Sequence, residues 1–161
     1  MEIKYMKVLN DNLSVTAAYT GVKEAVSPIS VEEIIALENK YNGGRLFPAA
    51  LRELLFLAGG DCYVLDYGMN DSQEQMQESS RKYMTVFGRN RVIARPFYVI
   101  DVYNTGDQFV FVYLDEGKDD PDVYEALIGY RLNDWIHLVK SPLSALIDGR
   151  IKRFLSGGNP F

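Results

Sequence analysis

Nucleophilic and acid–base catalysis draws mainly on histidine, cysteine or a serine activated by a neighbouring base. This chain holds one histidine, His137, and one cysteine, Cys62. His137 stands between Ile136 and Leu138 in a strand-like run, the setting of a packed or edge histidine rather than of a general base. Cys62 follows Asp61 with no cation close in sequence to favour its thiolate, so it reads as a structural thiol. Two such residues fall short of the roughly four ligands of a Cys/His zinc site. The acidic run Asp115-Glu116-Gly117-Lys118-Asp119-Asp120-Pro121-Asp122 invites a calcium reading. An EF-hand loop needs Gly at its sixth position and Glu at its twelfth, and counted from Asp115 these hold Asp120 and Ala126. Neither phosphate-binding glycine motif, GxGxxG after a strand or GxxxxGK[ST], is present. The expectation is therefore no catalytic residue, no cofactor, no metal and no enzymatic activity.

Charge points toward a partner instead. The formal net charge is -5 and the isoelectric point about 4.9, which argues against a uniformly basic nucleic-acid-binding surface. The distribution is uneven. Arg81, Lys82, Arg89, Arg91 and Arg95 fall in a stretch without acids, whereas Asp115 to Glu125 carries Asp115, Glu116, Asp119, Asp120, Asp122 and Glu125 against Lys118 alone. Tyr83 and Phe87 among the cations suit a core stripe of Tyr83, Met84 and Phe87 with solvated charges behind it, a better reading than an RNA surface.

The elements that must position these residues follow from periodicity. At 161 residues with 47% hydrophobic and 24% charged residues, the chain suits one domain with one core. Its apolar runs are too short for a membrane span and its start lacks a signal-peptide core, so a cytoplasmic location is expected. An arm over residues 1–29 precedes a core over 30–155 and a tail over 156–161 that is expected to fray. Ser30 with Glu33 makes a capping box, predicting a helix from Val31 that stops at Gly43-Gly44. Pro48 opens a second helix with Leu51, Leu54, Leu55 and Ala58 inward, ended by Gly59-Gly60. Cys62 to Leu65 is a candidate strand, and Asp71 with Glu74 a second capping box before Met76. Pro96 to Tyr103, Gln108 to Leu114 and Val123 to Tyr130 predict an antiparallel meander turned at Asn104-Thr105-Gly106-Asp107. After Trp135 to Val139, Ser141-Pro142 caps a last helix through Leu143, Leu146, Ile147, Ile151 and Phe154. Helices, then sheet, then helix is the α+β pattern.

Several of these pieces resemble the SUKH superfamily, the Smi/Knr-like proteins. Ser27-Pro28-Ile29-Ser30 leading into the first helix is similar to that family's opening. Leu46-Phe47-Pro48-Ala49-Ala50-Leu51 resembles its second helix start, Ala58-Gly59-Gly60-Asp61 the glycine pair that closes it, and Asp119-Asp120-Pro121-Asp122-Val123-Tyr124 its acidic-proline turn into a strand. The similarity spans roughly residues 27–155. It departs at Asn42-Gly43-Gly44, where the lead into Leu46 is short, and over Asp71 to Asn90, which is longer and more helical. The resemblance implies an α+β domain with a central antiparallel-rich sheet. It also implies either a bacterial immunity protein that blocks a toxin domain such as a nuclease, or a regulatory scaffold that binds a host protein.

An inhibitor of a nuclease covers a basic cleft, and acidic groups both speed that encounter and complement it. On this reading Asp115, Glu116, Asp119, Asp120 and Asp122, with Asp61 and Asp66, are the candidate partner-binding acids. Tyr124, Tyr63 and Tyr67 are candidate aromatic anchors. The expected partner is a basic toxin domain, with neither nucleic acid nor membrane.

Overall fold

In the computed structural model, which describes residues 1–18, 20–130 and 133–161, Ser30 and Glu33 form the reciprocal cap that their spacing predicts. The Ser30 Oγ accepts from the Glu33 N–H at 3.1 Å and Glu33 Oε2 accepts from the Ser30 N–H at 2.8 Å. The elements run α1 (Lys7–Asn10), β1 (Ser14–Thr16), β2 (Lys23–Ala25), α2 (Val31–Asn42), α3 (Ala49–Ala58), α4 (Gln73–Thr85), β3 (Phe97–Tyr103), β4 (Gln108–Tyr113), β5 (Asp122–Ala126), β6 (Ile136–Pro142) and α5 (Leu143–Leu155). The fold is α+β: β3-β4-β5-β6 form an antiparallel meander, and β1 and β2 pair as a separate hairpin.

Both faces of β3 and β4 are covered, so these strands read as nearly continuous apolar runs. Tyr98, Ile100, Val110, Val112 and Val123 join the main core with α2, α3 and α5. Phe97, Val99, Phe109, Phe111 and Tyr113 form a second cluster under Met76 and Met84 of α4. A register shift between Val99 and Asp101 re-aims the end of β3, as bulges do. It turns the wholly buried Asp101 toward α5, where Arg150 donates to Asp101 and to the Val64 carbonyl. Along the outer side of β3, α4 supplies polar groups in place of a strand. Gln77 Nε2 donates to the Val99 carbonyl at 2.7 Å, Val99 N–H donates back to Gln77 Oε1 at 2.9 Å, and Arg81 donates to the Phe97 carbonyl at 2.8 Å.

The arm is tied down by one carboxylate. Glu53 of α3, itself buried, accepts from the N–H groups of Lys4, Tyr5 and Met6 at 3.0, 2.7 and 2.9 Å. That places Met6 and Leu9 fully inside the core, where each side chain contributes about 1.5–3 kcal/mol by burial.

Several elements differ from their sequence expectation for identifiable reasons. Gly59 ends α3 in right-handed conformation; glycine is needed because a Cβ there would stand 2.6 Å from the Leu55 carbonyl and 2.8 Å from Ile29. Residues 62–65 form a turn rather than a strand, since only Asp61 bridges, to Ser27. The cap of α4 is Ser72, whose Oγ accepts from the Gln75 N–H at 3.2 Å, not the pair Asp71 and Glu74. Phe87 lies beyond α4, 82% exposed and left-handed at φ 58°, and is no part of a core stripe. The third strand of the meander stops at Ala126, and Ser141 and Pro142 extend β6, leaving Pro142 at the N-cap of α5 without a side-chain cap of its own. Pro160 is buried and the Phe161 ring stands edge-on to Tyr103 at 6.0 Å, so the closing residues, expected to fray, lie against the fold. Among the described residues no helix is long and apolar enough to cross a membrane.

Candidate functional site

The acidic loop is built into the fold. Asp120 supplies the cap that α5 lacks: its carboxylate accepts from the Ser144 N–H at 3.0 Å and from the Ser144 hydroxyl at 2.6 Å. The Asp119 carbonyl accepts from the Ala50 N–H at 2.9 Å at the start of α3, and the Pro121 carbonyl accepts from Leu143 at 2.9 Å. Two helix N-termini therefore converge on three consecutive residues, where carboxylates and carbonyls are favoured by the positive end of the helix dipole. Asp115 forms a forked pair with Arg95, and this guanidinium holds its carboxyl below the usual carboxylate range. Glu116, largely covered, accepts from the Tyr124 hydroxyl at 2.7 Å, a bond that pushes the phenol up to about 12. Asp122 pairs with Lys118. Only Asp119 presents a carboxylate to solvent with little engagement, a single 3.4 Å contact from the Tyr5 hydroxyl.

The remaining candidates separate in the same way. The Tyr63 hydroxyl donates to the Asn12 carbonyl and its ring lies 5.0 Å from Phe154, while the Tyr67 hydroxyl donates to the Ala58 carbonyl; both tie segments together. Burial pushes the Cys62 thiol up to about 11. His137 is half-buried on β6, with Asp134 at 4.0 Å. Asp61 and Asp66 are exposed, each with one oxygen on a local N–H, of Cys62 and Gly68 respectively.

Asp66 opens a concave part of the surface. From Asp66 the chain runs over Met69 into the first turn of α4, forming a ridge with a cleft on either side. The first cleft, about 390 Å³, has Pro28, Ile29 and Leu37 for walls, with Glu33 and Asp71 at its edge. The second, about 440 Å³, lies between the 66–70 loop, the α4 face bearing Gln75, Ser79 and Tyr83, and the β3–β4 turn. Both volumes fall in the range of ligand and side-chain receptors. In the 66–70 loop Met69 is 98% exposed, an apolar side chain with Asp66, Asn70 and Asp71 close to it in sequence. Along the flank, Lys40 bridges Glu74 and Glu78, and among the described residues Asp66 and Asp71 make no ion pair.

The β3–β4 turn holds Asn104, Thr105 and Gly106 at φ 51°, 55° and 91°. The twist of a tight hairpin demands positive φ, which Asn and Gly tolerate. For the β-branched Thr105 it stores about 1–3 kcal/mol of strain. Gly106 is required twice over, since a Cβ there would also lie 2.7 Å from the Tyr83 ring.

Sequence reasoning reached Asp66 but missed the ridge. The signal was a methionine in the run Asp66-Tyr67-Gly68-Met69-Asn70-Asp71-Ser72, where turn residues leave no periodicity to bury it. No protein-family model, curated protein or solved structure matches the chain.

Proposed function

We propose that this chain is a non-enzymatic protein-binding domain that docks a basic partner on the ridge between the two clefts, and that the partner is a bacterial toxin domain which it neutralises. The observation that carries the docking face is Met69, an almost fully exposed apolar side chain on a crest flanked by concave walls and by the unpaired carboxylates of Asp66 and Asp71. An apolar anchor within a charged rim is the composition of an interface centre, and the carboxylates supply attraction to a cationic surface. The toxin class rests on the SUKH resemblance. The acidic loop plays a supporting part: Asp119 presents its accessible carboxylate while its carbonyl meets the start of α3, Asp120 caps α5 and Glu116 holds Tyr124 of β5.

The test is calorimetric titration against the C-terminal domain encoded by the neighbouring gene, at low and high salt, with Met69→Ala, Asp71→Asn and Asp119→Ala. One-to-one binding that weakens with salt and drops at least about tenfold in Met69→Ala is expected. Tight binding unaffected by Met69→Ala and Asp71→Asn but lost in Asp119→Ala moves the interface to the acidic loop. Absence of binding at micromolar concentration sinks the pairing.

A further inference from the structure

The second cleft has the chemistry of a receptor for one kind of side chain. Its only formally charged wall group is Asp66, whose Oδ1 accepts from the Gly68 N–H at 2.7 Å while Oδ2 accepts nothing. The lining also carries the hydroxyls of Ser79 and Tyr83, neither with a hydrogen bond among the described residues, and the Tyr83 ring, backed by Gly106. Behind this wall Ser80 is 2% exposed, and its Oγ is buried with no hydrogen-bond partner among the described residues.

We infer that this cleft receives an arginine side chain of the partner, its guanidinium held by Asp66, the Ser79 and Tyr83 oxygens and the face of the Tyr83 ring. The inference deepens the docking proposal and rests on it for the source of the arginine. With one carboxylate and no cation among its lining residues, the cleft favours a cationic ligand over an anionic one. The planar fork of a guanidinium, with five N–H donors and an affinity for aromatic faces, satisfies several separated oxygens at once, whereas an ammonium satisfies fewer and is more strongly hydrated. The size of the cleft admits the whole side chain with its stem against Val102 and Met69.

The experiment needs no partner, so its outcome is separable from that of the docking proposal. Amide spectra of the full ¹⁵N-labelled chain are followed while N-acetyl-arginine amide is added, with N-acetyl-citrulline amide and N-acetyl-lysine amide as comparators. Saturable shifts confined to the amides of Gln75, Ser79, Ser80, Thr105 and Gly106 are expected for arginine. Citrulline, isosteric but uncharged, should bind at least about tenfold more weakly. Asp66→Asn should abolish the arginine response. Ser79→Ala should weaken it without lowering the melting temperature, since that change removes a hydroxyl that makes no hydrogen bond within the described residues. The assignment is overturned if arginine gives no saturable shift at tens of millimolar, if citrulline or lysine binds as well, or if Asp66→Asn responds like the parent chain.

Discussion

Asp119 and Asp120 are adjacent acids with different work. Asp120 closes the first turn of α5 through two bonds to Ser144, whereas the side chain of Asp119 reaches only the Tyr5 hydroxyl. Loss of a helix cap costs about 1 kcal/mol, so Asp120→Ala should lower the thermal midpoint by several degrees while Asp119→Ala leaves it in place. Thermal unfolding of the two variants decides the matter, and equal midpoints would remove the capping role. A binding defect in Asp120→Ala then has to be read against its stability, because displacing α5 disturbs everything that α5 supports.

At the scale of elements, the arm shows how a single buried acid can fix a segment with little structure of its own. Glu53 collects three consecutive N–H groups, and its removal strands those donors and releases Met6 and Leu9 from the core. Glu53→Ala should therefore cost about 3 kcal/mol or more, with hydrogen exchange at Lys4, Tyr5 and Met6 accelerating before that of the sheet. Unchanged protection at those amides would show that core burial alone holds the arm. This anchor was illegible in the sequence, since Glu53 lies 47 to 49 residues from its partners. The meander and α2 were legible because their signals are local: alternating β-branched and aromatic residues, and a cap spaced three apart. Where the expected cap of α5 failed, the deciding group, Asp120, lay elsewhere in the chain, and at Gly59 and Gly60 the need for glycine comes from Ile29 and Ser27, distant in sequence. The candidate site was half legible for the same reason. Asp66 could be named from composition, but the clefts exist only through packing of α4 against the β3–β4 turn.

For the molecule as a whole, Cys62 reports on global opening. It sits in the main core among residues of α3, the sheet and α5, and its thiol titrates near 9.0 when unfolded but at about 11 in place. The folded state keeps its proton longer, so this group's contribution to stability is intact below pH 9 and is lost as the pH rises through 11, about 2–3 kcal/mol in all. Iodoacetamide labelling at pH 8 should accordingly proceed at a small fraction of the rate for the chain in denaturant, and Cys62→Ala should flatten the thiol's part of the alkaline stability loss. Labelling of the folded chain at the unfolded rate would mean that the core opens there without unfolding.

The side-chain amide of Gln77 has a further consequence. By filling both hydrogen-bonding positions of Val99, and with Arg81 occupying the Phe97 carbonyl, α4 closes the β3 edge of the meander. Among the described residues β6 carries no strand on its other side, so the sheet has one sealed border and one open one. Fibrils grow only when every added unit offers a fresh template. A second copy meeting this one edge to edge through β6 would present its own sealed border outward, and growth would end at two.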